Sequence, residues 1–174
     1  SIASSTSNFG RVYLCSDNSN LTLAQNGYYL QFGEANATDA IRLFKLQAGI
    51  STQICAGIDG QIANSFITSV RVKRNALGDW DLAVDFSGGG NYIFQASGND
   101  PSNLIGSSFG VLCTYTASNA TKFYYDNVYI GNEIIDIIVP VVDTAIVISQ
   151  NQVDVYFNEA ISTASASLIT NYSL

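Results

Sequence analysis

Between Ser69 and Phe86 the chain reads Ser-Val-Arg-Val-Lys-Arg-Asn-Ala-Leu-Gly-Asp-Trp-Asp-Leu-Ala-Val-Asp-Phe, and no other stretch narrows the fold as far. Trp80, Leu82, Val84 and Phe86 alternate with Asp79, Asp81, Ala83 and Asp85. A period of two belongs to a strand with one buried and one wet face, and it excludes an amphipathic helix. Lys122-Phe-Tyr-Tyr-Asp-Asn-Val-Tyr-Ile-Gly131 has the same phase, with Tyr124, Asp126, Val128 and Ile130 on one side.

With turns as punctuation, strands are expected over residues 10–15, 28–33, 40–47, 51–58, 66–74, 79–86, 92–97, 108–116 and 121–130. Asn26-Gly27, Gly57-Ile-Asp-Gly60, Gly88-Gly-Gly90 and Ser97-Gly-Asn-Asp-Pro-Ser-Asn103 supply the turn chemistry between them. One short helical turn is expected near Thr22 to Gln25. The fold class is therefore all-β, an antiparallel sandwich. After residue 133 the composition shifts to an Ile/Val/Asp run containing Pro140, which reads as a linker over 134–143. A second alternating unit follows over 144–174, with strands at 144–149 and 152–157, a polar turn and the stretch 168–174. Strand pairs of this size are marginal alone, so this unit is expected to be an incomplete sandwich.

The formal charge is −7, with only seven Lys or Arg spread along the chain. That rules against nucleic acid or an anionic membrane as partner, since both need clustered cations. The most apolar run, Ile134 to Ile148, is broken by Asp136, Pro140 and Asp143, so no membrane insertion is expected. Charged residues make up 12% and Ser, Thr, Asn and Gly fill the polar positions, a balance expected of an extracellular or cell-surface protein. The chain has no Met, and residues 1–8 are neither a signal peptide nor a full strand, so it is expected to be a piece of a longer protein.

Cys15, Cys55 and Cys113 lack the spacing of a zinc site. The favoured disulfide pairs Cys55 with Cys113; the alternative is that all three are small buried hydrophobes. The absence of histidine removes the commonest general base and every Ser-His-Asp or Cys-His arrangement. Glu34, Glu133 and Glu159 are too far apart for the paired carboxylates of a retaining glycosidase. No catalytic residue is therefore assigned and the chain is read as a non-enzyme. Asp79, Asp81 and Asp85 read as a solvated face, and Trp80 as core rather than a sugar platform. Asp126 sits on an apolar strand face and needs a partner: a structural calcium shared with Glu34, Asp39 or backbone carbonyls, or else a hydrogen-bonded turn or a Lys/Arg pair. Tyrosine offers an amphipathic surface for glycans, and Tyr28, Tyr92, Tyr115, Tyr125 and Tyr129 are the candidate ligand-binding residues. Asn-x-Ser/Thr sequons stand at Asn20, Asn36, Asn119 and Asn171 and matter only in a eukaryotic secretory pathway.

Phe9-Gly-Arg-Val-Tyr-Leu14, Asn26-Gly-Tyr-Tyr-Leu-Gln-Phe-Gly33, the pair Val70–Arg74 and Trp80–Asp85, and Lys122–Gly131 carry a family resemblance. The segment from Asn8 to Gly131 resembles the concanavalin A-like, laminin-G-like jelly roll of large secreted Bacteroidetes proteins. Val153–Ala160 and Asn171–Leu174 are similar to the opening of a bacterial Ig-like domain. The resemblance implies a jelly roll over 1–133 that lacks its N-terminal strands, and the first strands of an Ig-like domain over 144–174. It also implies export, and an O-glycan on Thr144 in the interdomain linker, since Asp143-Thr-Ala145 matches the short Bacteroidetes glycosylation signal. The function expected is a non-catalytic surface module that binds glycan or another surface component in adhesion. The alternative is a structural spacer or assembly unit whose sheets are completed by other parts of the same protein or by a partner chain.

Overall fold

Glycine, asparagine and small polar turns divide the chain into short strands, and hydrogen-bonded meanders are the consequence. The computed structural model describes residues 5–35, 38–135, 137–162, 166–168 and 170. Within them the chain forms two compact units, Ser1–Ile130 and Gly131–Leu174. In the first, β1 (Phe9–Ser16), β2 (Gly27–Phe32), β3 (Ile41–Gln47) and β4 (Ile50–Ala56) form an antiparallel meander. β5 (Ser69–Arg74), β6 (Asp79–Asp85) and β7 (Ile93–Asn99) form a second, and β8 (Ser108–Thr114) returns to lie beside β1. The sheet orders are β4-β3-β2-β1-β8 and β5-β6-β7.

The sheets pack as a sandwich because the inward phases of both meanders are apolar. Tyr28, Leu30, Ile41, Leu43 and Cys55 from the larger sheet meet Trp80, Leu82 and Val84 from the smaller, and Ile62 from the connection between them joins the same core. Trp80 is core as expected, 5% exposed, with its ring 4.7 Å from that of Tyr28. Leu43, Ile62 and Leu82 are fully buried. Truncating any of them to Ala is a loss of about 2–5 kcal/mol by the transfer and cavity terms together.

A buried polar knot ties the two sheets at one end. Asp100, just past β7, accepts hydrogen bonds from Ser102 Oγ (2.7 Å) and Lys45 Nζ (3.0 Å), and the Tyr28 hydroxyl lies 2.8 Å from its Oδ2. Arg74 Nη2 donates to Ser102 O at 3.1 Å. Lys45 comes from β3 and Tyr28 from β2, both bound to the Asp100 carboxylate, and Arg74 comes from β5 to the Ser102 carbonyl, so the loop from Asp100 to Ser102 anchors strands of both sheets. Gly78 makes room for that loop: its φ is +86°, and a Cβ there would sit 2.3 Å from Asp100 O. The β3–β4 hairpin turns through Ala48 and Gly49, both at positive φ (50° and 75°), the primed geometry that matches strand twist.

Several expectations give way. Residues 121–130 are not a strand: among the described residues they join no β-ladder, and Asn127 takes a left-handed φ of 53° that ends any extended run. Alternation supplies a face, but a strand also needs a ladder of hydrogen bonds to a partner backbone, and among the described residues this stretch has none. β5 begins at Ser69 rather than residue 66, with Phe66 stacked against Phe32 (6.3 Å between centroids) instead of paired in the sheet. Asp85, read as solvated, is buried, because its carboxylate accepts from Ser87 N, Ser87 Oγ and Gly90 N and so closes the Gly88–Gly90 loop. Hydrogen bonds from the Ser87 side chain hold its pKa below the ordinary carboxylate value, against the opposing effect of burial. Phe86 lies past the strand end and is 41% exposed, outside the core stripe.

In the second unit, β9 (Val142–Ser149) and β10 (Gln152–Phe157) form an antiparallel hairpin. β9 starts inside the expected linker, so Thr144 lies in a strand opposite Tyr156 rather than in a linker; it is exposed. The stretch 168–174 lies outside the described residues apart from Leu168 and Thr170, as do Asn36 and Asn171 of the sequons.

Candidate functional site: a groove on the outer face of the larger sheet

β1 is apolar on both faces. Val12 and Leu14 point into the sandwich, whereas Phe9, Arg11 and Tyr13 leave on the opposite side. Register then aligns a row across the sheet, with Tyr13 opposite Tyr29 and Tyr29 opposite Phe44. The Tyr13 and Tyr29 rings are 5.2 Å apart, and Tyr29 stacks on Phe44 at the same distance with 18° between planes. The Tyr29 hydroxyl donates to Ser51 Oγ at 2.8 Å, fixing the row to β4. A 3-10 turn, Leu21–Leu23, is capped by Asn20, whose Oδ1 accepts from Thr22 N; Leu21 and Ala24 pack onto the row. Tyr13 and Tyr29 are thereby a closed floor, 3% and 1% exposed.

Above this floor lies an open groove of about 740 Å³, lined among others by Arg11, Tyr13, Gln25, Ser51, Thr114 and Tyr115. Tyr115 is 49% exposed at the rim, its ring 6.1 Å from that of Phe123, and is the exposed aromatic of the lining. No hydrogen bond from another described residue engages the Tyr13 hydroxyl, the Gln25 side-chain amide or the Thr114 hydroxyl, and Gln25 is exposed whereas Tyr13 is nearly covered. Among the described residues Arg11 is the one charged residue of the lining. Its Nε donates to Gln31 Oε1 at 3.0 Å, and its guanidinium carbon lies 4.8 Å from the Tyr29 ring centroid and 5.2 Å from that of Phe9.

Arg42, two strands away on the same face, is by contrast saturated. Glu34 accepts from its Nε (2.8 Å) and Nη2 (2.6 Å), and Asp59 lies at 3.3 Å. The Glu34 hydrogen bonds raise its already high pKa further.

The tyrosines proposed from sequence do not converge. Tyr115 lines the groove. Tyr28 does not belong to a wet surface: it is 2% exposed, and burial followed by the Asp100 carboxylate pushes its pKa up to about 12. It faces inward because the smaller sheet covers that face of β2. Tyr92 is on the other sheet, with the Arg71 guanidinium 4.6 Å from its ring. Tyr125 reaches under β8, its hydroxyl 3.6 Å from Cys113 Sγ, in space that Gly10 leaves open: a Cβ at Gly10 would collide with that hydroxyl. Burial, then the Cys113 side chain, raises the Tyr125 pKa. Tyr129 is 62% exposed.

The Cys55–Cys113 disulfide is not formed, and all three thiols are free. Cys55 on β4 and Cys113 on β8 occupy opposite edges of the sheet, four strand spacings or about 19 Å apart, where a disulfide needs Cα atoms within about 7 Å. Asp126 is exposed rather than set among apolar neighbours, and its Oδ1 accepts from Asn127 N at 2.7 Å. It does not join the suggested carboxylates: Asp39 accepts from Glu34 N and Glu34 is bound to Arg42. Among the described residues no three His, Cys, Asp or Glu side chains gather as a metal set.

Arg11, Tyr13 and Gln25 were not among the sequence candidates. The available signal was Phe9-Gly-Arg-Val-Tyr13, in which two aromatics and an arginine share one phase of a strand whose other phase is aliphatic. No family model matches the chain, and no curated protein or solved structure matches it either.

Proposed function

We propose that this chain is a non-catalytic module of a larger secreted or cell-surface protein and that it binds glycan through the groove on its larger sheet. The observation that carries the reading is the lining itself: unengaged hydroxyl and amide groups of Tyr13, Gln25 and Thr114 over an aromatic floor, with Tyr115 exposed at the rim. Sugar rings ask for this pairing of hydrogen-bonding groups with a flat apolar surface. Among the described residues no Asp or Glu lines the groove, so these offer no carboxylate pair for glycosidic cleavage. The jelly-roll reading of the first unit is supported by two antiparallel sheets packed over one core, and an Ig-like reading of the second by its β9–β10 hairpin. A glycan array probed with the soluble chain tests the reading, and a complete lack of hits rejects it. On any hit, Tyr115→Ala is expected to weaken binding about two- to tenfold, from an aromatic contact of about 0.5–1.5 kcal/mol.

A second reading, as an assembly unit, is favoured by the open side of the first sandwich. Among the described residues β8 has no neighbour beyond β1, and its Phe109 and Val111 are 39% and 37% exposed. Val128 and Ile130, in the irregular stretch that follows, are 59% and 63% exposed. A bare edge with apolar side chains is a template for strand addition. Sedimentation velocity over a hundredfold range of concentration tests self-assembly; a monomer throughout rejects it.

A further inference from the structure

We infer that the groove is built for an anionic saccharide, a uronate-bearing chain in which a carboxylate docks on Arg11. The inference rests on the glycan-binding reading and adds the ligand's charge class. In a chain of net charge −7, the groove carries a single charge among the described residues, and it is positive. Arg42 and Lys45, the arginine and lysine nearest it on the same sheet's strands, are each matched to carboxylates, whereas Arg11 has none within salt-bridge distance among the described residues.

The side chain is also pre-oriented. Gln31 holds Nε at 3.0 Å, and the Tyr29 and Phe9 rings hold the guanidinium plane, at 4.8 and 5.2 Å from its carbon. Fixing Nε leaves the two terminal nitrogens as a free fork, the geometry that grips a carboxylate through two parallel hydrogen bonds. Arg11 is half-buried against aromatic surface, so a carboxylate placed there is attracted more strongly than at a fully hydrated arginine. Gln25 and Thr114 remain for the hydroxyls of the same sugar chain. A sulfate ester presents the same acceptor oxygens to the fork, and the test below separates it from a carboxylate.

The 174-residue chain is titrated calorimetrically with polygalacturonate, with the same polymer after reduction of its carboxyl groups, and with a sulfated polysaccharide. The variants are Arg11→Gln, Arg11→Lys and, as a control for net charge on the other sheet, Arg71→Gln. Far-UV circular dichroism confirms that each is folded. Polygalacturonate is expected to bind more tightly than its reduced form by on the order of ten- to a hundredfold, the size of a charge-assisted hydrogen-bond pair. Arg11→Gln removes that difference, Arg11→Lys restores part of it, and Arg71→Gln leaves it intact. The inference is overturned, with the glycan reading intact, if the reduced polymer binds as well as the charged one. It is equally overturned if Arg71→Gln weakens binding as much as Arg11→Gln, since the attraction is then to overall charge. Binding of the sulfated polymer alone overturns the uronate assignment. Failure of all three polymers, together with an empty glycan array, rejects the glycan reading beneath it.

Discussion

Replacing Tyr28 by Phe removes one hydroxyl from the polar knot and nothing else, which makes it a clean probe of what joins the two sheets. The hydroxyl lies 2.8 Å from Asp100 Oδ2 and 2.5 Å from Ser102 O, sharing one proton between them, and accepts weakly from Leu104 N at 3.5 Å. After the substitution Asp100 retains Ser102 and Lys45, and Ser102 O retains Arg74, so no charge is orphaned. The loss is therefore that of one buried hydrogen bond to a charged group, about 1.5–3 kcal/mol, and not the larger penalty of breaking an ion pair. Trp80, the chain's only tryptophan, lies 4.7 Å from the Tyr28 ring and reports unfolding of this unit by fluorescence. With a urea slope of about 2 kcal/mol/M, the midpoint should fall by about 1 M. The pH dependence adds a second signature. Folding raises the Tyr28 pKa from 10.0 to about 12, so the stability it contributes is complete below pH 10 and is lost as pH rises through about 12. The gap between wild type and variant should accordingly be constant up to pH 10 and close toward 12. A midpoint shift below about 0.3 M, or a gap that persists unchanged through pH 12, would refute the assignment of this hydroxyl to the knot.

Asp100 should act at the other end of the pH scale: burial raises its pKa, but hydrogen bonds from Ser102, Lys45 and Tyr28 outweigh that and leave it lowered from 3.8. Its contribution is thus present above the ordinary carboxylate pKa and lost as pH falls below it, so urea midpoints of wild type and Asp100→Asn should converge as pH drops from about 5 to about 2. Ala48→Asn should stabilise the β3–β4 turn by about 0.5–1 kcal/mol, because asparagine tolerates the positive φ that alanine resists; thermal unfolding measures it, and a lower melting temperature would contradict the turn geometry. A thiol reagent should titrate three cysteines in the denatured chain purified without reductant. In the folded chain Cys15 and Cys55, whose pKa values are raised first of all by burial, should react more slowly than Cys113, and a count of one would restore the disulfide.

Local sequence reached as far as strands and turns whose signals are self-contained. β1 to β4 and β6 to β10 form close to where alternation and turn residues put them, because side-chain phase and turn chemistry are set by neighbours in the chain. The short helical turn expected near Thr22 to Gln25 forms one residue earlier, as the 3-10 turn Leu21–Leu23, where the Asn20 side chain caps it. The stretch 121–130 has equally good alternation and failed, since pairing depends on a second backbone that composition does not reveal.

What only the tertiary structure decided is which of two equivalent faces is covered, and by what. Tyr28 and Tyr29 are adjacent and both buried, one by the smaller sheet and the other by Leu21, Ala24 and Phe44, while Tyr115 stands at a rim and stays wet. Asp79, Asp81 and Asp85 share a phase, yet Asp85 is buried because a glycine loop folds back onto its carboxylate. Cys55 and Cys113 look pairable along the chain and lie on opposite edges of a five-stranded sheet. Arg11 became a candidate only once register placed Gln31 beside it, Tyr29 beneath it and, among the described residues, no carboxylate within salt-bridge reach. Periodicity is a property of one strand and can be read from residues in order. Burial, pairing and charge compensation are properties of two or more strands brought together, and their physics begins where sequence neighbours end.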